Sequence, residues 1–267
     1  MKLAVLVDNN TNLENCLIPE HGLSFYIEDD DKKIIFDCGT TDAFIKNAYK
    51  MGIDLEYVTD IILSHSHDDH IGGFMKLKML YQKFSNIGIE FRTKNIYAHP
   101  KIFETELENN NSTPGEKNIH LEKEEIRKVF NIIDTKKAQA ITDKFYLTGE
   151  IPVIHEVKKD YTQDEIALIY KSKAGLVIIS GCSHSGLENI IEQAKAVTGE
   201  SKINTIIGGI YLINRSVEEV HELGHYLKEQ NIEYIYPCHC TDLESKIILS
   251  RYVKIAEVNI GKEFSWE

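Results

Sequence analysis

Apolar and polar positions alternate in blocks along the chain, and the blocks predict a regular order of elements. Lys2–Val7 reads as a strand, and Leu23–Glu28 with Lys33–Asp37 reads as a hairpin folded at Asp29-Asp30-Asp31. Thr41–Met51 carries Ala43, Phe44, Ala48, Tyr49 and Met51 at helical spacing, and Gly52 stops it. Ile61-Ile62-Leu63 is a short, wholly apolar strand, and Gly72-Gly73 opens a helix through about Phe84. The second half repeats this grammar. Ile166–Tyr170 and Leu176–Ser180 form a hairpin turned at Lys173-Ala174-Gly175, followed by a helix over Leu187–Val197 and a strand over Ile203–Ile207. A helix over Val217–Gln230, the strand Tyr234–Tyr236 and a helix over Leu243–Arg251 complete it.

Two β-rich halves, each with helices, predict an α/β (α+β) architecture: two sheets face to face with helices outside, a four-layer αββα sandwich. Residues 1–267 are expected to act as one domain. Residues 107–128 interrupt the pattern as an insertion. Asn109-Asn110-Asn111-Ser112-Thr113-Pro114-Gly115 is a loop, and the charged stretch after it has the composition of a short helix. Such an insertion is either a substrate-reading lid or a solvated excursion.

Composition narrows the function. A 42% hydrophobic content is enough for a full core, so neither disulfides nor a metal are needed merely to fold the chain. A net charge of −12 argues against a nucleic-acid surface, which needs clustered Lys and Arg. Met1–Asp8 has too short an apolar run for a secretory signal, and no stretch approaches the roughly 20 apolar residues of a membrane span. Cys16, Cys38, Cys182, Cys238 and Cys240 therefore read as reduced thiols in a cytoplasmic protein whose partner is a small-molecule substrate.

The chemistry concentrates in His65-Ser66-His67-Asp68-Asp69-His70, directly after the apolar strand. Alternation along an extended strand puts His65 and His67 on the same side, where two imidazoles can meet one metal. A turn toward a helix after His67 would sweep Asp69 and His70 round to a second metal. Imidazole and carboxylate donors suit Zn²⁺, Fe or Mn.

H-x-H-x-D-H after an apolar strand resembles the signature of the metallo-β-lactamase superfamily, and Ile35-Phe36-Asp37-Cys38-Gly39 is similar to its F-D-x-G segment. Further blocks resemble one branch, the subfamily named after dihydropterin-ribofuranosylaminobenzene-phosphate synthase. They are His21-Gly22-Leu23-Ser24, Leu147-Thr148-Gly149-Glu150-Ile151-Pro152, Gly181-Cys182-Ser183-His184-Ser185-Gly186 and Pro237-Cys238-His239-Cys240-Thr241. The resemblance implies two divalent metal ions, Zn²⁺ first and Fe or Mn as alternatives. His65 and His67 go to one ion, and Asp69, His70 and His239 to the other. His184 is the choice for completing the first site, with Cys182 standing where relatives often carry a metal-bridging Asp. Asp69, directly before His70, is preferred over Asp68, and Asp37 is expected to hold a ligand histidine by its remaining N–H.

The subfamily often shows G-G-x-H-L where this chain has Gly208-Gly209-Ile210-Tyr211-Leu212, so Tyr211 is a candidate proton donor or substrate contact. Asp69 and Tyr211 are accordingly the expected catalytic residues, and His120 in the insertion could reach a substrate. Cys238 and Cys240, pointing away from His239 in an extended strand, read as packed thiols. His99, His155, His221 and His225 lack a partner pattern and read as capping or solvated residues. The reading is a dinuclear metal-dependent hydrolase activating water on a phosphate ester or cyclic phosphodiester. Iron-dependent oxygen chemistry on the same fold, or a non-catalytic metal-binding sensor, are the alternatives.

Overall fold

The structure is a computed structural model that describes residues 1–11, 16–86, 93–104, 119, 121–157, 161–213 and 215–267. It divides into two compact units, 1–136 with 259–266 and 137–258 with Glu267.

The first unit is built on β1 (Lys2–Val7), β2 (Ser24–Asp29), β3 (Lys32–Phe36), β4 (Asp60–Leu63), β5 (Lys94–Ala98) and β6 (Phe130–Asp134), with the C-terminal strand Glu263–Ser265. Their order in the sheet is C-terminal strand, β1, β2, β3, β4, β5, β6. β2 and β3 are the expected hairpin, turned with Asp30 at positive φ. From β3 onward the pairings are parallel, so every return needs a crossover. Helix α1 (Ala43–Lys50) makes the first crossover, and the single turn α2 (Asp68–Ile71) with α3 (Phe74–Asn86) makes the second. Leu6, Ile35, Phe44, Ile61, Phe74, Tyr81 and Ile96 are all buried in one core.

Residues 105–118 and His120, most of the predicted insertion, lie outside the described residues. Its described end is not an excursion. Leu121 and Ile126, the latter on α4 (Lys123–Arg127), enter the first core, and Ile119 N donates to Ser66 O at 2.9 Å.

The second unit holds β7 (Gln139–Ala140), β8 (Phe145–Leu147), β9 (Leu168–Ser172), β10 (Gly175–Ser180), β11 (Ile203–Gly209) and β12 (Tyr234–Cys238). Their order is β12-β11-β10-β9-β8-β7, with β10, β11 and β12 mutually parallel. Helices α5 (Leu187–Thr198), α6 (Val217–Glu229) and α7 (Leu243–Leu249) serve this unit. α6 starts in a capping box of Ser216 and Glu219, and Asp242 caps α7. Ile178, Ile190, Ile206, Leu227, Ile235 and Leu249 form its core.

Strand formation was legible where apolar runs were unbroken, and shorter elements escaped. β5, β6, β7, β8 and the C-terminal strand were not expected. Lys94-Asn95-Ile96-Tyr97-Ala98 mixes polar and apolar residues in a run of five. The C-terminal strand pairs Lys2 with Ser265, a partnership no local window contains.

Candidate metal centre

In parallel sheets, ligands collect at the carboxyl ends of the strands, where connections turn and backbone groups are released from the ladder. Within each unit the candidate residues fall there. β3 delivers Asp37, β4 delivers Ser64 to His70, β10 delivers Cys182 and His184, β11 delivers Tyr211 and β12 delivers His239. Among the described residues five non-glycines have positive φ, and three of them, Asp37, Ser183 and His239, stand at these strand ends. Such conformations cost of order 1–3 kcal/mol each and persist only where neighbours over-determine them, which marks these turns as functional candidates.

In the first unit Asp37 is fixed by its own backbone. Its N–H donates to Ile62 O at 2.9 Å, and the Ser24 hydroxyl donates to its carbonyl at 2.8 Å. The buried carboxylate then organises the histidines. Oδ1 accepts from Ser64 N at 2.8 Å, and Oδ2 accepts from the Ser64 hydroxyl at 2.7 Å and pairs with His70 Nδ1 at 2.7 Å. An ionised carboxylate only accepts, so His70 carries its proton on Nδ1 and presents Nε2 as a lone pair. The Ser64 hydroxyl, having given its proton to Asp37, accepts from His65 Nδ1 at 2.8 Å, which leaves His65 Nε2 bare as well. Asp37 thus sets the tautomers of two histidines, one directly and one through Ser64. Ser64 had not been singled out, although it stands between the apolar strand and His65.

His65 Nε2 and His67 Nδ1 are 3.2 Å apart. Two nitrogens on one tetrahedral ion, each about 2.0–2.1 Å from it, would be separated by roughly 3.3 Å, so this pair fits one edge of a metal site. His70 Nε2 and Asp69 Oδ2, 3.9 Å apart, offer a second edge, and the His65 and His70 rings are 4.2 Å apart between centroids. The donor set therefore fits divalent metal ions. The route to it differs from the expected one. The strand ends at Leu63, so His65 and His67 meet through the loop that follows it rather than through strand alternation. The turn after His67 into α2 does sweep Asp69 and His70 inward.

His21 was part of a quoted block but not a proposed ligand. Its Nε2 lies 3.2 Å from Asp69 Oδ2, and it is half exposed where Asp69 is buried. The neighbouring backbone is tight: Leu23 N donates to Asp69 O at 3.1 Å, and a Cβ on Gly22 would fall 2.4 Å from that same carbonyl. Only glycine, at φ 144° here, lets the chain pass so close to Asp69. Asp68 is half-buried beside it.

In the second unit the loop after β10 carries the donors. Cys182 Sγ lies within 4.8 Å of a ring nitrogen of His184 and within 4.8 Å of one of His239, and all three residues are buried. The Tyr211 ring sits 4.6 Å from the His184 ring, and Tyr211 N donates to Cys182 O at 2.8 Å. Cys240 is buried, as expected of a packed thiol, but for a different reason. His239 is in the left-handed region at φ 52°, not in an extended strand, and the Cys240 thiol turns back to donate to Cys182 O at 3.6 Å. A Cβ on Gly209 would stand 2.7 Å from Cys240 Sγ, so that glycine makes room for the thiol.

Two residues that sequence reasoning missed hold this loop. Glu165, fully buried, accepts from His184 N at 2.9 Å and Ser185 N at 2.6 Å. Burial pushes its carboxyl up from the ordinary range against the pull of those donors. Asn189 on α5 donates to Ser185 O at 2.8 Å and to His155 O at 2.9 Å, and accepts from Ile154 N and His155 N. No local pattern announces either, because Glu165 acts on backbone groups about 20 residues away and Asn189 mostly on groups about 35 residues away. Glu165→Ala is expected to cost about 2–5 kcal/mol, since it strands two buried N–H groups. Glu165→Gln, which keeps one acceptor, should recover part of that loss. Urea unfolding of the two variants measures this, and an unchanged midpoint for Glu165→Ala would remove the role.

The remaining histidines behave locally. His99 accepts from Lys101 N at 3.4 Å at the start of the turn Pro100–Phe103, His221 Nδ1 meets Tyr252 Oη at 2.6 Å, and the His225 ring lies against Tyr252. The ring of His155 meets Tyr226 edge-on.

These features define a class. The sequence model described as the Metallo-beta-lactamase superfamily matches residues 17–83, which span Asp37 and the whole histidine cluster. The solved structure of Tm1679, described as a metal-dependent hydrolase of the β-lactamase superfamily, matches with a TM-score of 0.81 at 26% identity, covering 99% of this chain and 98% of that one. The chain has the metallo-β-lactamase fold and is similar in sequence to proteins of that superfamily. Within it, the chain resembles the 7,8-dihydropterin-6-methyl-4-(beta-D-ribofuranosyl)-aminobenzene-5'-phosphate synthase of Methanocaldococcus jannaschii, at 29% identity over 92% of this chain and 89% of that protein. An uncharacterised protein of the same organism is 26% identical over 97% of this chain and 98% of its own length. Among the described residues no helix is long and apolar enough to cross a membrane.

Proposed function

We propose that the two units act as one functional domain, whose donor clusters together serve a pair of divalent metal ions, and that the protein is a metal-dependent hydrolase of small phosphate esters or cyclic phosphodiesters. The observation that carries this is the His65 Nε2 to His67 Nδ1 pair at 3.2 Å, backed by the Asp37–Ser64–His65 and Asp37–His70 bonds. Proteins keep that much second-layer hydrogen bonding on histidines that bind metal, because it fixes the tautomer and raises basicity.

In this reading His65, His67 and His184 hold one ion, and Asp69, His70 and His239 hold the other. Zn²⁺ is the first choice, with Fe or Mn as alternatives. Such ions, when bound, lower the pKa of water toward about 7 and polarise a phosphoryl or carbonyl oxygen. The chain's own residues do the rest. Asp37 locks the lone pairs of His65 and His70 in place. Asp69, buried with His21 at 3.2 Å, would supply negative charge to its ion, and His21 stands beside it at the exposed rim. Tyr211, buried against His184, has a hydroxyl suited to protonating a leaving alkoxide or to binding a substrate oxygen.

The phosphate assignment draws on the relative whose printed name contains a 5'-phosphate. That name is a synthase's, and it favours a second reading in which an organic nucleophile takes the place of water at the same site. A substrate panel separates them. The metal-loaded protein is expected to turn over a chromogenic phosphodiester at least tenfold faster than a lactone or thioester probe, with incorporation of one solvent ¹⁸O into the phosphate product. Preference for the acyl probes would overturn the phosphate assignment. Turnover that requires an added amine or aromatic acceptor would favour the synthase-like reading.

A further inference from the structure

We infer that helix α6 carries a further metal site, built from residues that the centre above does not use: His221 and His225 clamp one late transition ion, Zn²⁺ or Cu²⁺, across a single helical turn, with Tyr252 orienting the pair.

The spacing comes first. His221-Glu222-Leu223-Gly224-His225 is an H-E-x-x-H run lying wholly inside α6. Residues four apart on a helix share a face, with Cβ atoms about 5–6 Å apart, so two imidazoles at this spacing can reach one ion. Leu223 and Gly224 between them are buried, while His221 is half-buried and His225 exposed. The pair therefore stands on the outer face of the helix, where water can fill the remaining positions around an ion.

Tyr252, three residues beyond α7, supplies a second and independent observation. Its hydroxyl meets His221 Nδ1 at 2.6 Å, and its ring lies against both histidines, with centroids 5.7 Å from His221 and 4.8 Å from His225. A phenol can accept from Nδ1–H, and that tautomer leaves Nε2 bare for a metal. Histidines that bind metal are held in this way, by an oxygen on the ring nitrogen that the ion does not use. Gly224 makes the arrangement possible. A Cβ there would fall 2.3 Å from Tyr252 Cδ2 and 2.7 Å from Cε2. Glycine inside a helix costs about 1 kcal/mol relative to alanine, and here it lets one tyrosine ring lie over the turn that separates the two histidines. Ring packing alone would explain the glycine; the bond to Nδ1 adds orientation of the imidazole.

Charge and donor type narrow the ligand. Glu218, Glu222 and Glu229 are exposed on the same side of α6, against Lys228, so the local field favours a cation. Two neutral imidazoles suit zinc, copper or nickel and hold little attraction for Mg²⁺ or Ca²⁺.

The test is zinc binding by the full chain, counted by equilibrium dialysis at micromolar free Zn²⁺, for the wild type, His221→Ala, His225→Ala and Tyr252→Phe. Circular dichroism confirms the fold of each. The wild type is expected to hold one zinc more than either histidine variant, whatever number the other centre takes, so the result does not depend on the dinuclear reading. Tyr252→Phe keeps the ring and removes the hydroxyl, and should weaken that ion's binding by about 10–100-fold. Excess Mg²⁺ should leave the ion in place. Equal zinc counts in the wild type and both histidine variants would overturn the site, and loss in only one of the two would overturn the clamp. Wild-type affinity in Tyr252→Phe would overturn the orienting role, and displacement by Mg²⁺ the choice of ion.

Discussion

His67→Ala is expected to lower bound metal and to cut phosphodiester hydrolysis by about 10³-fold or more while leaving the chain folded. The size follows from what is lost. Removing a single preorganised stabilising group from an active site typically costs about 10²–10³-fold, and His67 supplies one of the two nitrogens of the 3.2 Å pair that the proposed metal site rests on. The fold should survive because His67 lies outside both apolar cores, which are filled by residues such as Phe44, Phe74, Ile178 and Leu249. Metal analysis, steady-state rates and far-ultraviolet circular dichroism on one preparation measure all three quantities. Wild-type metal content with a lost rate would make His67 a catalytic group rather than a ligand, and an unfolded variant would tie the metal to stability.

The second large effect is expected at Asp37. Its carboxylate takes hydrogen bonds from Ser64 N and the Ser64 hydroxyl, and pairs with His70 Nδ1, all inside a buried pocket. Asp37→Ala leaves those three groups without their acceptor and should destabilise the protein by about 3 kcal/mol or more, at about 1–3 kcal/mol for each buried orphan. Asp37→Asn keeps the volume but presents an amide, which cannot accept at both oxygen positions. It should therefore weaken metal binding by about 10–100-fold with a smaller loss of stability. Competition with a chromophoric chelator gives the affinity, and thermal unfolding of the metal-free protein gives the stability. Wild-type affinity in Asp37→Asn would show that the histidine tautomers are set by something other than this carboxylate.

The two variants also mark how far the site could be read in advance. The clustering of His65, His67, Asp69 and His70 was legible because a dense group of such residues after an apolar strand is rare without a purpose, and so was the pairing of Asp37 with a histidine of that cluster. The reason given for the first pair was wrong in detail. His65 and His67 meet in a loop beyond β4, so the spacing mattered and the strand did not. Ser64, Glu165 and Asn189 were invisible for a common reason. Each works through hydrogen bonds, most of them to groups brought near by the fold, and serine, glutamate and asparagine carry no periodic signal of such a role. His239 was visible as a residue, but its left-handed backbone was not, so Cys240 is packed as expected but not through an extended strand.

The same contrast holds for the architecture. The paired hairpins β2–β3 and β9–β10 followed from apolar runs closed by turn residues, and the helices from 3.6-residue spacing. β6 and the C-terminal strand depend on partners far along the chain, and their sequences alone give little reason to extend.

The central claim, that water is activated by metal held in this cluster, is tested most directly by removing and restoring the metal. The purified chain is assayed against a chromogenic phosphodiester as isolated, after exhaustive chelation and dialysis, and after titration with Zn²⁺, with bound metal counted at each stage. The expected result is loss of hydrolysis in proportion to metal removed, and full recovery at two equivalents of Zn²⁺ per chain. Hydrolysis that persists at the original rate in the metal-free protein would contradict the account.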